Sequence, residues 1–210
     1  MVRFPDLFQT AVSFFGIADY AFWHRSAGRP DCNAQMEAAL GGPPATLPEI
    51  YDARNFVAAA GNAACSRLHF FWDVEETMCP PAMVEAFLAG YHAAGHANDT
   101  VHVSRPGDAK RWTHNWRTRN PDLSAADDLF LPDVLTQKIA APRLPPRGRL
   151  IVSGYLVTRN FQVWLGDGQR GRAAIAYDLS HDPPAIQVVD NPSGWPVRVD
   201  LKSPLAALPE

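Results

Sequence analysis

The chain has 210 residues, 47% hydrophobic and 20% charged, enough to bury one substantial core, so a single domain is expected over 1–210. Its formal net charge of −3 excludes a global attraction to nucleic acid or anionic lipid and leaves only local patches for such contacts. No run approaches the roughly 18 apolar residues of a membrane span, and Met1 to Thr10 lacks the apolar stretch and small-residue cleavage site of a secretory leader. Taken in chain order, Asp6 to Ile17 places Phe8, Val12 and Phe15 at helical spacing and predicts a short amphipathic helix. Asp31 to Leu40 predicts a second, with Asp31 as cap and Gly41-Gly42 as stop. Thr46-Leu47-Pro48-Glu49 fits a capping box, opening a helix whose stripe is Ile50, Ala53 and Val57.

Arg67 to Val74 switches to period two, with Leu68, Phe70, Trp72 and Val74 on one face and Arg67, His69, Phe71 and Asp73 on the other, which predicts a strand. Pro81 to Ala97 returns to helical spacing through Val84, Phe87, Leu88 and Tyr91, and Val101 and Val103 suggest a short strand. Pro106 to Leu123 has no periodicity, Ser124 to Ala140 reads as a helix broken at Pro132, and the Pro-rich 141–148 is a linker.

From 149 to 201, apolar runs are cut at short intervals by Gly, Pro, Asn and Asp, the pattern of a β-meander of about five strands. Leu150 to Thr158 is apolar on both alternating sets and should be a central strand covered on both faces. Phe161-Val163-Leu165 and Ile175-Tyr177-Leu179 each define one core face, and these two strands should pair across the loop at Gly166-Asp167-Gly168. Ile186 to Val189 and Val197 to Leu201 complete the set. The expected core is Phe70, Trp72, Ile151, Tyr155, Val157, Val163, Ile175, Tyr177, Ile186 and Val188. Helices concentrated in the N-terminal two thirds (helix-rich 1–140) and strands gathered at the end predict an α+β domain with a mainly antiparallel sheet and without alternating βαβ units.

Glu37-Ala38-Ala39-Leu40-Gly41, followed by Leu47-Pro48-Glu49-Ile50-Tyr51 and Ala60-Gly61-Asn62, resembles the opening of the SUKH superfamily, and Trp164, Gly166, Gly168, Ala176-Tyr177-Asp178-Leu179, Val188-Val189 and Leu205 resemble its closing meander. These α+β domains occur in cell-wall regulators and among bacterial immunity proteins that neutralise toxins. The resemblance implies a non-catalytic, protein-binding module in the cytoplasm, with no cofactor and with a cognate toxin as partner. The match spares Arg67 to Arg147, where specificity for one partner would then lie.

Three constellations bear on chemistry. Arg105, Arg111, Arg117 and Arg119 surround Trp112 and Trp116, a mixture that suits a protein interface, since Trp and Arg are the residues enriched at binding hot spots. Asp122, Asp127, Asp128 and Asp133 follow at once and argue against nucleic acid. Cys32 stands at a predicted helix start, where the dipole favours a thiolate, and a Cys32-dependent hydrolase or transferase with His69 or His102 as base is the rival reading. With Cys65 and Cys79 the cysteines are odd in number and unpaired in spacing, which fits a reducing compartment. Glu85, His92 and His96 share one helical stripe and could approach a metal, but a complete ligand set is not indicated, and a solvated face is the simpler reading. Gly166 to Gly171 precedes a strand, so it is not a phosphate loop.

Overall fold

A computed structural model describes residues 1–26, 29–64, 67–109, 111–112 and 142–201. The helix expected over 124–140 lies outside the described residues, as do Cys65 and Leu205. Thr10–Phe14 (β1), Arg67–Asp73 (β2) and Asp99–Ser104 (β3) form a parallel sheet in that order. With it go Tyr20–Ser26 (α1), Pro30–Leu40 (α2), Pro48–Asp52 (α3), a single 3-10 turn at Ala60–Asn62, and Pro81–Ala93 (α4). The protein is therefore mixed α and β with its helices N-terminal, but the parallel sheet corrects the sequence reading. The unit β2-α4-β3 is a βαβ crossover, because parallel neighbours need a connection of a dozen or more residues and α4 supplies it.

A second correction concerns β1, which replaces the helix expected over 6–17. Its residues pair with β2 from Thr10↔Arg67 to Phe14↔Phe71, and this ladder outweighs a helical stripe of which Phe8 and Val12 remain 48% and 42% exposed. The opposite outcome holds for α4. Pro81 opens it where a missing N–H costs nothing, and its stripe Met83, Val84, Phe87, Leu88 and Tyr91 is buried. Most of that stripe packs on Leu68, Phe70 and Trp72 of β2. Each large apolar side chain so buried stabilises the fold by roughly 1.5–3 kcal/mol. Val74, assigned to the same face, lies past the end of β2 and is exposed. The capping box does not form either: the Thr46 hydroxyl donates to the Pro43 carbonyl at 3.1 Å, and Leu47 caps α3 without a side-chain bond.

Arg147–Ser153 (β4), Tyr155–Val157 (β5), Phe161–Leu165 (β6), Arg172–Asp178 (β7), Ala185–Asp190 (β8) and Val197–Leu201 (β9) form an antiparallel sheet ordered β8-β7-β4-β5-β6-β9. It is a meander of three long passes, each interrupted once. The first pass, β4 with β5, turns at Gly154; the second, β6 with β7, is interrupted by 166–171; the third, β8 with β9, by 191–196. On one side of the interruption β7 pairs with β4 and β8, and on the other β6 pairs with β5 and β9. The expected pairing of β6 with β7 is thereby corrected. Gly154 accepts from the Leu165 amide at 2.8 Å and donates to the Gly171 carbonyl at 3.0 Å, so the loop bulges outward and the chain resumes in line instead of reversing.

Leu150, Val152, Leu156, Phe161, Val163, Leu165, Ala173, Ile175 and Tyr177 fill the core of the meander. Ile151 points the other way and packs against the core under α4, so β4 is covered on both faces, as its apolar run requires. Of the expected core, Tyr155 and Val157 of β5 are only half-buried, and in β8, an edge strand with one open face, Ile186 is half-buried and Val188 is 39% exposed. Asn62, itself buried, ties the two cores together: its amide donates to Val2 and Ile151 carbonyls at 3.0 and 2.6 Å and its oxygen accepts from the Ile151 amide at 2.9 Å. Asn62→Leu strands those backbone groups in a dry contact, and urea unfolding is expected to show a loss of about 2–4 kcal/mol.

Candidate functional site

Cys32 sits in the first turn of α2 and is half-buried beside Met36, Met78, Trp23 and the buried Cys79. No hydrogen bond joins it to a histidine among the described residues. His69 and His102 meet each other instead, with ring nitrogens 3.4 Å apart, and His102 stacks on Phe71 at 4.0 Å between centroids. Burial pushes both imidazoles below their ordinary value; the charge of Arg67 adds to this at His69, and His69 adds to it at His102. The structure thus unites the two proposed bases and leaves the proposed nucleophile apart. The Cys79 thiol is pushed up to about 11 by burial and then by Glu76, which makes it an inert thiol at neutral pH.

The stripe Glu85, His92 and His96 does not converge. His92 Nε2 lies 2.8 Å from Asp99 Oδ1, His96 Nε2 donates to the Gly61 carbonyl at 2.9 Å and its ring stacks on Tyr91, and Glu85 is exposed. Among the described residues no three His, Cys, Asp or Glu side chains are grouped to hold a metal ion.

The basic and aromatic segment is divided. Arg105 is exposed; Trp116, Arg117 and Arg119 lie outside the described residues. Arg111 and Trp112 face inward, which corrects their reading as surface anchors. Arg111 Nε donates to Asp73 Oδ2 at 2.7 Å, its Nη2 bonds Asp73 Oδ1, and the same nitrogen reaches Glu75 at 3.0 Å. Trp112, 7% exposed, packs edge-on against Phe71 and Phe14, and its amide donates to the Ser104 hydroxyl, which donates to Asp73 at 2.6 Å. This clamp fills the carboxyl ends of β2 and β3, the place where an open α/β sheet would otherwise offer a ligand crevice.

What the sequence reading missed is the edge of the meander. β8 ends the sheet and, among the described residues, makes no hydrogen bond beyond its ladder with β7. Five of its six residues are exposed, including Val188 and Val189. Natural sheets blunt such edges with Lys, Arg, Pro or inward charges. β9, which continues the same outer pass, carries Arg198 and Asp200, whereas Ala185 to Val189 has no charge and no Pro. The whole run Ala173 to Val197 contains Asp178, Asp182 and Asp190 but no Lys or Arg. That absence is the signal by which the sequence could have shown it.

Two clefts stand out on the described surface. The larger, about 580 Å³, lies where α3 meets the loops of the meander and is lined by Asp19, Arg25, Glu49, Asp52 and Arg172 among others. Burial pushes the Asp52 carboxyl up, Arg172 at 3.4 Å opposes the rise and Asp19 adds to it. The smaller, about 320 Å³, is mostly apolar and lies between the first residues of the chain, the end of β1 and α4. No described helix is long and apolar enough to cross a membrane. Comparison with family models, with curated proteins and with solved structures gave no match.

Proposed function

We propose that the chain is a non-catalytic protein-binding module, and, in the class its SUKH resemblance implies, a bacterial immunity protein that neutralises a cognate toxin. The observation that supports binding is the unguarded β8 edge, a row of backbone donors and acceptors bordered by exposed valines. The occupant is an extended segment of the partner, added as a further strand: main-chain bonds supply affinity and alternate side chains supply specificity. Asp182 and Asp190 at the ends of β8, with no cation between Ala173 and Val197, select a partner whose strand is flanked by Lys or Arg. A toxin that works on nucleic acid carries such a cationic surface.

The test uses the full chain and the product of the adjacent gene, co-purified and then titrated calorimetrically. Both valines are exposed, so Val188→Lys with Val189→Lys leaves the fold intact. The pair is expected to weaken the complex by about 2 kcal/mol or more, roughly thirtyfold, and wild-type affinity should fall as salt rises. Unchanged affinity in the double variant removes β8 as the binding edge.

A further inference from the structure

The smaller cleft carries an inference independent of β8. It is lined by Val2, Phe4, Ile17, Phe56, Phe87 and Tyr155 among others, and among the described residues Arg3 is the sole charged side chain in its wall. The Arg3 guanidinium lies over the rings of Tyr155 and Phe56, 4.5 and 5.4 Å from their centroids. One nitrogen, Nη2, donates to the Ala53 carbonyl at 2.6 Å; Nε is shut off from solvent without any acceptor. Among the described residues no carboxylate pairs with Arg3. Arg54 is a second cation nearby, and among the described residues its acceptors are the Ile50 and Gln169 carbonyls and the Gln169 side chain, all neutral. Burial lowers the Arg54 pKa, and the charge of Arg3 lowers it further.

A buried donor without an acceptor costs about 1–3 kcal/mol. Asp73 pairs with Arg111 and Asp178 with Arg147, whereas among the described residues Arg3 faces an apolar cleft without a carboxylate. Its planar fork fits a carboxylate, and the aromatic rings hold the plane of that fork. Arg54 does not line the cleft, and a single charged side chain in the described wall suits a monoanion better than a phosphate dianion. The volume stands at the low end of the about 300–1,000 Å³ of small-molecule sites, which limits the apolar body to a short chain or a single ring. We infer that this cleft is a binding site for a small apolar monocarboxylate, its carboxylate on Arg3 and its hydrocarbon body against Ile17, Phe56 and Phe87.

Sodium decanoate and 3-phenylpropionate are the probes, titrated calorimetrically into the full chain, with 1-decanol as the uncharged match to decanoate. At least one of the acids is expected to bind saturably with a stoichiometry of one, at least tenfold more tightly than 1-decanol. Arg3→Gln is expected to lower that affinity at least tenfold. Should Arg3→Gln fail to fold by circular dichroism, Ala18→Phe, which fills the cleft from its wall, decides: the folded variant must lose binding. No saturable binding of either acid up to about 1 mM, the weak limit of a specific site, overturns the inference. So does equal binding of decanoate and 1-decanol, which is partition into an apolar surface, or wild-type affinity in either folded variant.

Discussion

Asp73→Asn is expected to lower the melting temperature at pH 7 by about 6–12 °C, the equivalent of about 3 kcal/mol in a chain of this size. Asp73 is fully buried at the end of β2 and collects Arg111, the Ser104 hydroxyl and the Glu75 amide. Burial alone would push its carboxyl up; the bonds from Arg111, Ser104 and Glu75 and the charge of Arg111 outweigh it and hold the pKa at about 2, against an ordinary 3.8. A carboxylate held low in the folded state stabilises the fold above its unfolded pKa and loses that contribution as pH falls. The contribution, about 2 kcal/mol, is therefore complete above roughly pH 5 and fades between the unfolded value and pH 2. Thermal melts of wild type and variant at pH 7 and pH 2.5 check both parts: the gap between them must narrow at the lower pH. A constant gap would mean that the clamp acts through packing of Trp112 and not through charge.

Gly154→Ala is expected to cost at least about 3 kcal/mol and to melt the meander as a unit. The residue holds φ at +72°, which alone costs an L-residue about 1–2 kcal/mol. A methyl there would lie 2.4 Å from the Gly168 carbonyl oxygen, and that oxygen is backbone in a loop fixed at both ends by Gly154 itself. Relief would break the bonds to Leu165 or Gly171, and with them the alignment of β6 with β7. Gly194→Ala is the control, for its φ is also positive and nothing lies within 4 Å of the added methyl. Denaturant unfolding that found the two variants equally stable would show that strain and not the close approach sets the cost.

The meander was legible because its ends are written in Gly, Pro, Asn and Asp, and its alternation survives in the burial of Phe161, Val163 and Leu165. Its central bend was not, since Gly154 interrupts an otherwise continuous apolar run and only its approach to Gly168 makes it a corner. α4 and β2 were legible for the same reason, a strong period matched to a buried face. β1 was not: Thr10 to Phe14 owes its extension to β2, which lies more than fifty residues away in sequence. Parallel pairing leaves no mark in either strand, so the βαβ unit could not be read from periodicity. At the candidate sites, Trp112 and Arg111 looked like anchors because composition reports residue type but not direction; Asp73, which turns Arg111 inward, was visible only as the polar face of β2. The β8 edge and the Arg3 cleft are defined by missing partners, and a sequence does not list what is absent.

The closure of the first residues onto the meander has a consequence for how the chain reaches this state. The Val157 amide donates to the Arg3 carbonyl at 2.8 Å, and the buried Asp6 receives the Arg159 amide at 3.1 Å across 153 residues of sequence. During synthesis from the N-terminus the segment from Met1 to β1 therefore waits, its Asp6 carboxylate hydrated and Val2 uncovered, until β5 and the turn after it have left the ribosome. At about 5–20 residues per second that interval is about 8–30 s. A topology of such high contact order forms slowly, and the cleft around Arg3, whose wall includes Tyr155, is complete only once β5 is in place.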